Sequence, residues 1–190
     1  YLPYFSFPIT SARQSGFLIP SLGSSEARGL EVSIPYYWNI APNQDATFTL
    51  RPMTKRGLMA EAEYRVLGEK QEGTLYASLL PHDRQTGENR WSWRATHQYR
   101  FNDAWHTDLL QQRVSDVDYA DDLSTDFTLY DDWYLESHAT LYGDTRYGNL
   151  MLRGQKYQRI DSNVSEADKP YARLPQLTYN NSLQHGNWRY

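Results

Sequence analysis

Histidine and aspartate are the side chains with which this chain could bind a metal ion or transfer protons. The five histidines show neither the H-E-x-x-H spacing of a zinc site nor another metal-ligand pattern. They are His82, His97, His106, His138 and His185. The chain also lacks cysteine, a G-x-S-x-G nucleophile turn and a glycine-rich phosphate loop. We therefore expect no enzymatic activity, no cofactor and no metal site.

Acidic side chains are concentrated between Asp116 and Asp126, where five aspartates occur. Five carboxylates could bind a divalent cation, but the EF-hand pattern fails because Ala120 takes a ligand position and no glycine follows. The pairs Asp121-Asp122 and Asp131-Asp132 fall in or beside the same polar stretch. We expect a solvated acidic loop, with cation binding as the alternative.

The stretch Gly29–Arg51 indicates which elements position the polar side chains. Alternate residues from Leu30 to Trp38 are apolar, and those between them, beginning with Glu31, are mostly polar. This period of two predicts a β-strand with one apolar face, and a second strand follows a turn at 39–45. Pro35 sits inside the first strand, where it cannot donate to a β-ladder.

The same alternation recurs along most of the chain and predicts about eleven strands, most of them near the 9–11 residues that a tilted membrane strand needs. The predicted strands outside 29–51 are Gly16–Leu22, Leu58–Leu67, Thr74–Leu80, Trp91–Phe101, Ala104–Arg113, Asp132–Tyr142, Gly148–Tyr157, Arg173–Asn181 and one opening near Asn187. The sequence therefore predicts an all-β protein.

The connections indicate the architecture. After Leu80, long polar segments (82–90, 114–131, 160–172) alternate with short turns (102–103, 143–147, 183–186). In an up-and-down meander, this alternation places every long loop at one end and every short turn at the other. Such asymmetry is typical of transmembrane β-barrels and not of Greek-key sandwiches, so we predict an antiparallel up-and-down transmembrane β-barrel.

Composition agrees with half-apolar strands. Mean hydropathy is −0.77, aromatic content is 15%, and no apolar run approaches the length of a membrane helix. The net charge of −4 argues against nucleic acid as a partner. The chain starts at Tyr1 without methionine and stops at Tyr190, inside a predicted strand. We interpret it as part of a larger barrel.

If the apolar face contacts lipid, the polar residues on the opposite face point into a hydrated lumen. The alternative is the solvated face of an ordinary sheet. The charged candidates for the lumen are Glu31, Arg51, Glu61, Glu63, Arg65, Arg94 and Arg100, with Ser33, Thr96 and Gln98 among the uncharged ones.

Pro20 and Pro35 lie fifteen residues apart in successive predicted strands and could be neighbours across the first hairpin. Each removes one backbone donor from a ladder that, in lipid, must be satisfied internally. They therefore mark either a weakened seam or two proline-tolerant positions at bulges or strand ends.

Three segments carry a resemblance to a known family: Ser15–Leu22 (SGFLIPSL), Ile34–Met53 (IPYYWNIAPNQDATFTLRPM) and Lys55–Leu58 (KRGL). In this order and spacing they resemble the start of the barrel domain of the LptD family, also called OstA or Imp, which assembles lipopolysaccharide in Gram-negative outer membranes. Tyr1–Ile9 (YLPYFSFPI) is similar to the end of that family's periplasmic β-jellyroll. The resemblance implies that residues 1–14 end the jellyroll and residues 15–190 begin the barrel.

The resemblance also implies a function and partners. The jellyroll of the family accepts lipopolysaccharide from a periplasmic bridge that contains LptA, a lipoprotein, LptE, plugs the lumen, and the lipid leaves sideways through a seam. Pro20 and Pro35 match the prolines that weaken that seam. We expect a non-enzymatic lipopolysaccharide translocon in contact with outer-membrane lipid.

Two rival functions are open. A passive porin would conduct solutes without needing the lipoprotein. A soluble β-rich carbohydrate-binding module would use Trp91, Trp93 and Trp133 to stack on sugars.

Overall fold

We describe the structure from a computed structural model that covers residues 13–123, 133–163, 165–181, 184–185 and 188–189. The predicted fold class is confirmed. Eleven strands form one antiparallel up-and-down sheet that is not closed within this chain, as expected for part of a β-barrel. Residues 1–12, which include most of the predicted jellyroll end, lie outside the described residues, so the domain boundary at 14 stays a prediction.

The strands follow the alternating segments of the sequence. In chain order they are β1 (Gly16–Phe17), β2 (Ser21–Ser25), β3 (Gly29–Ala41), β4 (Gln44–Met53), β5 (Gly57–Leu67), β6 (Gln71–Leu80), β7 (Arg90–Arg100), β8 (Trp105–Val114), β9 (Tyr134–Thr145), β10 (Gly148–Arg159), β11 (Arg173–Asn180), β12 (Gln184–His185) and β13 (Trp188–Arg189). A short helix, α1 (Tyr119–Leu123), and a 3-10 turn at Glu166–Asp168 interrupt the connections.

Each strand from β3 to β10 pairs with the next one along the chain, and β1 and β2 both pair with β3. β12 and β13 pair only with each other among the described residues. The strand predicted over Gly16–Leu22 is therefore two short strands with a break at 18–20, which is a correction to the sequence-based assignment.

The connections alternate as the sequence predicts. The connections that follow β6, β8 and β10 leave the sheet at one end, together with the turns at 26–28 and 54–56, and we call this the long-loop end. The turns at 42–43, 68–70, 101–104 and 146–147 lie at the opposite, short-turn end. No helix among the described residues is long and apolar enough to span a bilayer.

The two faces of the sheet have the reverse of the polarity that water favours. Neighbouring residues in β6 show this: Leu79 is 47% exposed on the outer face, whereas Ser78 is buried on the inner one. Large apolar side chains remain exposed along the outer face, including Leu50 and Phe48, while the inner face buries arginines and carboxylates such as Arg51. A polar interior behind an apolar surface is the arrangement of a membrane barrel.

Burial is concentrated at the long-loop end. The apolar cluster there joins the ends of several strands to α1 and to the loop before β11, with Ala120 packed against it. Its buried members are Met53, Met59, Leu80, Val114, Tyr119, Leu123, Leu135 and Ile160.

Candidate functional site

The ladder at the start of the sheet contains an extra residue beside the first proline. Phe17 lies opposite Tyr36 in β3, and Ser21 lies opposite Ser33. Three residues, Leu18 to Pro20, therefore face only two, Ile34 and Pro35. This is a β-bulge, which leaves one residue unpaired and bends the strand. Pro20 and Pro35 are thus brought to the same interruption on adjacent strands.

Pro35 adds a second defect at this position. The N–H of Leu18 donates to the carbonyl of Pro35 at 2.9 Å. In a hydrogen-bonded antiparallel pair the two residues exchange two such bonds. Because proline has no N–H, the reciprocal bond to the carbonyl of Leu18 cannot form. The contact between the β1–β2 segment and β3 is therefore short of hydrogen bonds around both prolines, and we call this position the seam.

Salt bridges across neighbouring strands line the inner face. Arg51 in β4 makes a two-point ion pair with Glu61 in β5, and the hydroxyl of Tyr76 in β6 donates to Glu61 at 2.6 Å. Arg51 also donates to the carbonyl of Leu123 in α1 at 3.4 Å. This buried guanidinium therefore joins β4 and β5 to α1, in the connection between β8 and β9.

A second group lies nearer the short-turn end. Asp45 accepts hydrogen bonds from Arg65 at 2.8 and 3.0 Å and from the hydroxyl of Tyr37 at 3.2 Å. Arg13, ahead of β1, reaches the same carboxylate at 3.3 Å. Two of these side chains come from β3 or the segment before it, so Asp45 helps to hold the seam strands to the rest of the sheet.

His138 in β9 lies between two carboxylates. Its Nε2 is 2.8 Å from Asp108 in β8, and its Nδ1 is 2.8 Å from Glu136. Glu136 also accepts a hydrogen bond from Arg153 in β10 at 2.5 Å. This arrangement ties three strands together across the inner face.

Five charged side chains form a network at the long-loop end, which we call the Arg56–Arg90 cluster: Arg56, Asp83, Arg90, Asp116 and Asp122. Asp83 is fully buried and lies 2.8 Å from Arg56 and 3.3 Å from Arg90. Asp122 lies 2.6 Å from both arginines, and Asp116 accepts two hydrogen bonds from Arg90 at 2.6 and 3.0 Å. Both guanidinium groups are 4% exposed or less.

The network holds residues 115–123, which we call the acidic segment, against the inner face. Within it, α1 is only five residues long, too short to be stable alone. Tyr119 is buried, and its hydroxyl lies 2.5 Å from the hydroxyl of Ser78, which in turn lies 2.7 Å from that of Ser92. Packing and ion pairs therefore determine where the segment lies.

Asp83 and Asp116 of the cluster both have a lowered pKa. Burial raises the pKa of Asp83, but the backbone N–H of Gln85 and the guanidinium of Arg56 outweigh it and lower the pKa below its usual value of 3.8. Burial likewise raises the pKa of Asp116, and hydrogen bonds from Arg90 and Ser115 lower it overall. Both carboxyl groups are therefore anionic at neutral pH.

Within the described residues, no group of three or more histidine and carboxylate side chains is placed to hold a metal ion. The acidic side chains that lie together are opposed by arginines instead. The arrangement presents charged and polar groups along the inner face and an interrupted ladder at the seam.

Comparison with known families decides which protein class this is. The model of a family described as "LPS transport system D" matches residues 88–187, and a second model, described as "LptD protein", matches residues 1–78. The chain belongs to the LptD family.

Several curated relatives have the same name. The chain is 39% identical over 187 residues to the LPS-assembly protein LptD of Acinetobacter baylyi, which covers 94% of this chain and 22% of the relative. It is 39% identical over 184 residues to LptD of Chromobacterium violaceum and 38% identical over 177 residues to LptD of Nitrosococcus oceani. These alignments cover 95% and 93% of this chain, and 23% and 24% of those relatives. The chain thus spans about a quarter or less of the length of the LptD proteins it matches.

The family resemblance seen in the sequence is therefore confirmed. The structure also shows where the residues predicted for the gate and for the lumen lie. Pro20 and Pro35 both lie at the seam. The charged residues predicted for the lumen share the inner face by the strand register: Glu31, Arg51, Glu61, Glu63, Arg65, Arg94 and Arg100. Their contact with cargo, and the gating role of the prolines, stay predictions.

The expectation of a solvated acidic loop is wrong for two of its members. Asp116 and Asp122 are paired with buried arginines, whereas Asp118 and Asp121 are exposed as expected. Asp126 and the pair Asp131-Asp132 lie outside the described residues. A loop rich in like charges can fold inward when buried guanidinium groups neutralise its carboxylates. Arg56 and Arg90 neutralise this loop.

Sequence reasoning missed the residues that make this possible. Arg56, Asp83 and Arg90 stand in a turn, in a loop and at a strand end, where charged residues are ordinary. Tyr119 belongs to a segment read as polar. The available signal was the apolar spacing of Tyr119 and Leu123, which lie on one face of a helical turn.

Proposed function

We propose that this chain forms the first strands of an outer-membrane barrel that assembles lipopolysaccharide in the outer leaflet of a Gram-negative bacterium. The name of the relatives, LPS-assembly protein, supports the substrate. The apolar outer face supports contact with outer-membrane lipid, and the polar inner face supports passage of a sugar chain.

The single observation that carries the mechanism is the interrupted ladder at the seam. Without water, each unsatisfied backbone group costs several kcal/mol, so strands in lipid separate where hydrogen bonds are already missing. Lipopolysaccharide is amphipathic: its acyl chains need the bilayer and its sugars need water. Lateral release at the seam, with the sugars following the inner face, satisfies both parts.

The proposed partners follow from the same assignment. Lipopolysaccharide would arrive from a periplasmic bridge of the LptA kind through a jellyroll upstream of residue 15. An LptE-like lipoprotein would fill the lumen against the inner face. Transport energy would come from elsewhere.

The test restores the missing donor. In the complete protein in its own outer membrane, the double variant Pro20→Ala, Pro35→Ala allows the reciprocal bond to Leu18 to form. We expect slower arrival of lipopolysaccharide at the cell surface, measured by pulse labelling of the lipid and its modification by a surface-restricted enzyme. The matched control is Pro52→Ala, which makes the same chemical change in β4, away from the seam.

Unchanged arrival in the double variant, at normal protein abundance, would overturn the gating role. Passive conduction of small solutes by purified protein, in place of lipopolysaccharide delivery, would favour the porin function instead.

A further inference from the structure

Arg56 lies at a junction between three separate parts of the long-loop end. Its Nε donates to the carbonyl of Ala27, in the turn between β2 and β3, at 3.0 Å. Its two terminal nitrogens bind Asp83 in the β6–β7 loop at 2.8 Å and Asp122 in α1 at 2.6 Å. One buried guanidinium therefore joins the acidic segment directly to the hairpin that carries both prolines.

That hairpin is firmly held at one end and weakly paired further along. Next to the Ala27 turn, Leu30 exchanges hydrogen bonds with Thr54, through its N–H to the hydroxyl at 3.0 Å and through its carbonyl to the N–H at 2.9 Å. Lys55 also donates to the carbonyl of Arg28 at 3.2 Å. The missing bonds of the seam begin a few residues beyond. The turn anchored by Arg56 is thus a fixed point for the seam strands on the long-loop side, as Asp45 is on the short-turn side.

The acidic segment has the properties of an element that can dock or release. α1 has five residues, and the N–H of Asp122 donates to the carbonyl of Asp118, just before the helix, at 3.1 Å. So short a helix contributes little stability of its own. Its position depends on Arg56, Arg90 and the packing of Tyr119. When such an element leaves, Arg56 and Arg90 lose Asp122 and keep Asp83 as a shared counter-charge, so part of their charge is left uncompensated.

We propose that Arg56 is a positioning residue that couples the acidic segment to the seam hairpin. Docking of the segment holds the β2–β3 turn, and release of the segment loosens that turn beside the prolines. Docking of the acidic segment at the long-loop end and the local stability of the strands at the seam then change together. This inference rests on the proposed function for its use in transport, but the coupling itself is a property of the chain without cargo.

Coupling between two sites is reciprocal, which gives a test from either side. The measurement is amide hydrogen exchange in the complete protein, reconstituted in lipid nanodiscs without lipopolysaccharide. Asp122→Asn weakens the contact from the segment and touches nothing in the hairpin. We expect exchange to rise by about tenfold or more in residues 117–123 and also in residues 26–30.

The matched control is Arg84→Gln, whose exposed guanidinium donates to the carbonyl of Thr54 at 3.4 Å and makes no ion pair among the described residues, so that it should change neither region. Arg56→Gln should loosen both regions, and adding Asp122→Asn to it should loosen residues 26–30 no further. Should Arg56→Gln fail to fold, Asp122→Asn alone decides.

Faster exchange confined to residues 117–123 in Asp122→Asn would overturn the coupling, as would equal loosening by Arg84→Gln. These outcomes are independent of lipopolysaccharide arrival. A negative result with the proline variants would therefore reject the gate and leave the coupling standing, and the reverse also holds.

Discussion

Replacing Tyr119 by alanine should release the acidic segment from the inner face. The ring is 2% exposed, belongs to the apolar cluster of the long-loop end and lies 5.8 Å from the guanidinium carbon of Arg90. Removing a buried aromatic ring costs about 3–5 kcal/mol, through lost burial and the cavity left behind. The five residues of α1 cannot compensate by helix formation.

Tyr119→Phe is the matched control because it keeps the ring and removes only the hydroxyl. Ser78 would keep Ser92 as a partner at 2.7 Å, so the loss is that of one hydrogen bond, about 1 kcal/mol. The two variants should then differ by roughly 2–4 kcal/mol in the free energy of local opening, which is about 30-fold to 700-fold in amide protection.

The assay is hydrogen exchange over residues 117–123 in the complete protein, with heat-modifiable gel mobility as evidence that the barrel has folded. Wild type and Tyr119→Phe should retain protection, and Tyr119→Ala should lose it. Equal exchange in the two variants would show that ion pairs alone hold the segment, and the packing argument would be refuted.

Three further predictions concern stability, each measured by denaturant unfolding of the complete protein. Leu80→Ala should cost about 2–5 kcal/mol and more than Leu79→Ala, since lipid fills the space left on the outer face while a cavity remains inside; equal costs would contradict the assignment of faces. Gly143→Ala should cost about 1–3 kcal/mol, because a Cβ there would stand 2.6 Å from the Trp105 ring, and an unchanged midpoint would show that the indole can move away. Because the folded pKa of Asp83 is lowered, its stabilising effect is complete above about pH 4 and is lost as pH falls through that lowered value; Asp83→Asn should therefore flatten the loss of stability in acid, and a slope as steep as that of wild type would count against this.

Strand existence and sheet topology were predictable because their signals are local. Alternation along Trp91–Phe101 or Leu58–Leu67 records which side chains meet lipid and which do not, and each connection joins sequential neighbours. The shared face of Arg51 and Glu61 follows from that alternation as well.

The Arg56–Arg90 cluster was not predictable in this way. Arg56 and Asp122 are 66 residues apart, and their contact depends on how a loop folds back over the strand ends. The composition of a loop shows that it is acidic, but it does not show whether buried arginine side chains will neutralise it. Inward folding of Asp116 is decided by tertiary contacts that no local pattern contains.

The break at 18–20 is indicated by the sequence, but by a weaker signal than the strands are. Phe17 and Leu22 both face outward, beside Tyr36 and Val32, although an odd number of steps separates them along the chain. In an unbroken strand they would point to opposite faces. Apolar residues that fall out of phase within one predicted strand therefore indicate an inserted residue.

That inserted residue makes the length of the first hairpin as informative as its composition. Deleting one residue from 18–20 would remove the bulge, because two residues would then face Ile34 and Pro35, and Leu22 would stay opposite Val32 on the lipid side. The strand could then follow β3 without this interruption. Over evolutionary time, homologous barrels that keep the bulge should therefore vary in residue type along this stretch more readily than in the number of residues it contains.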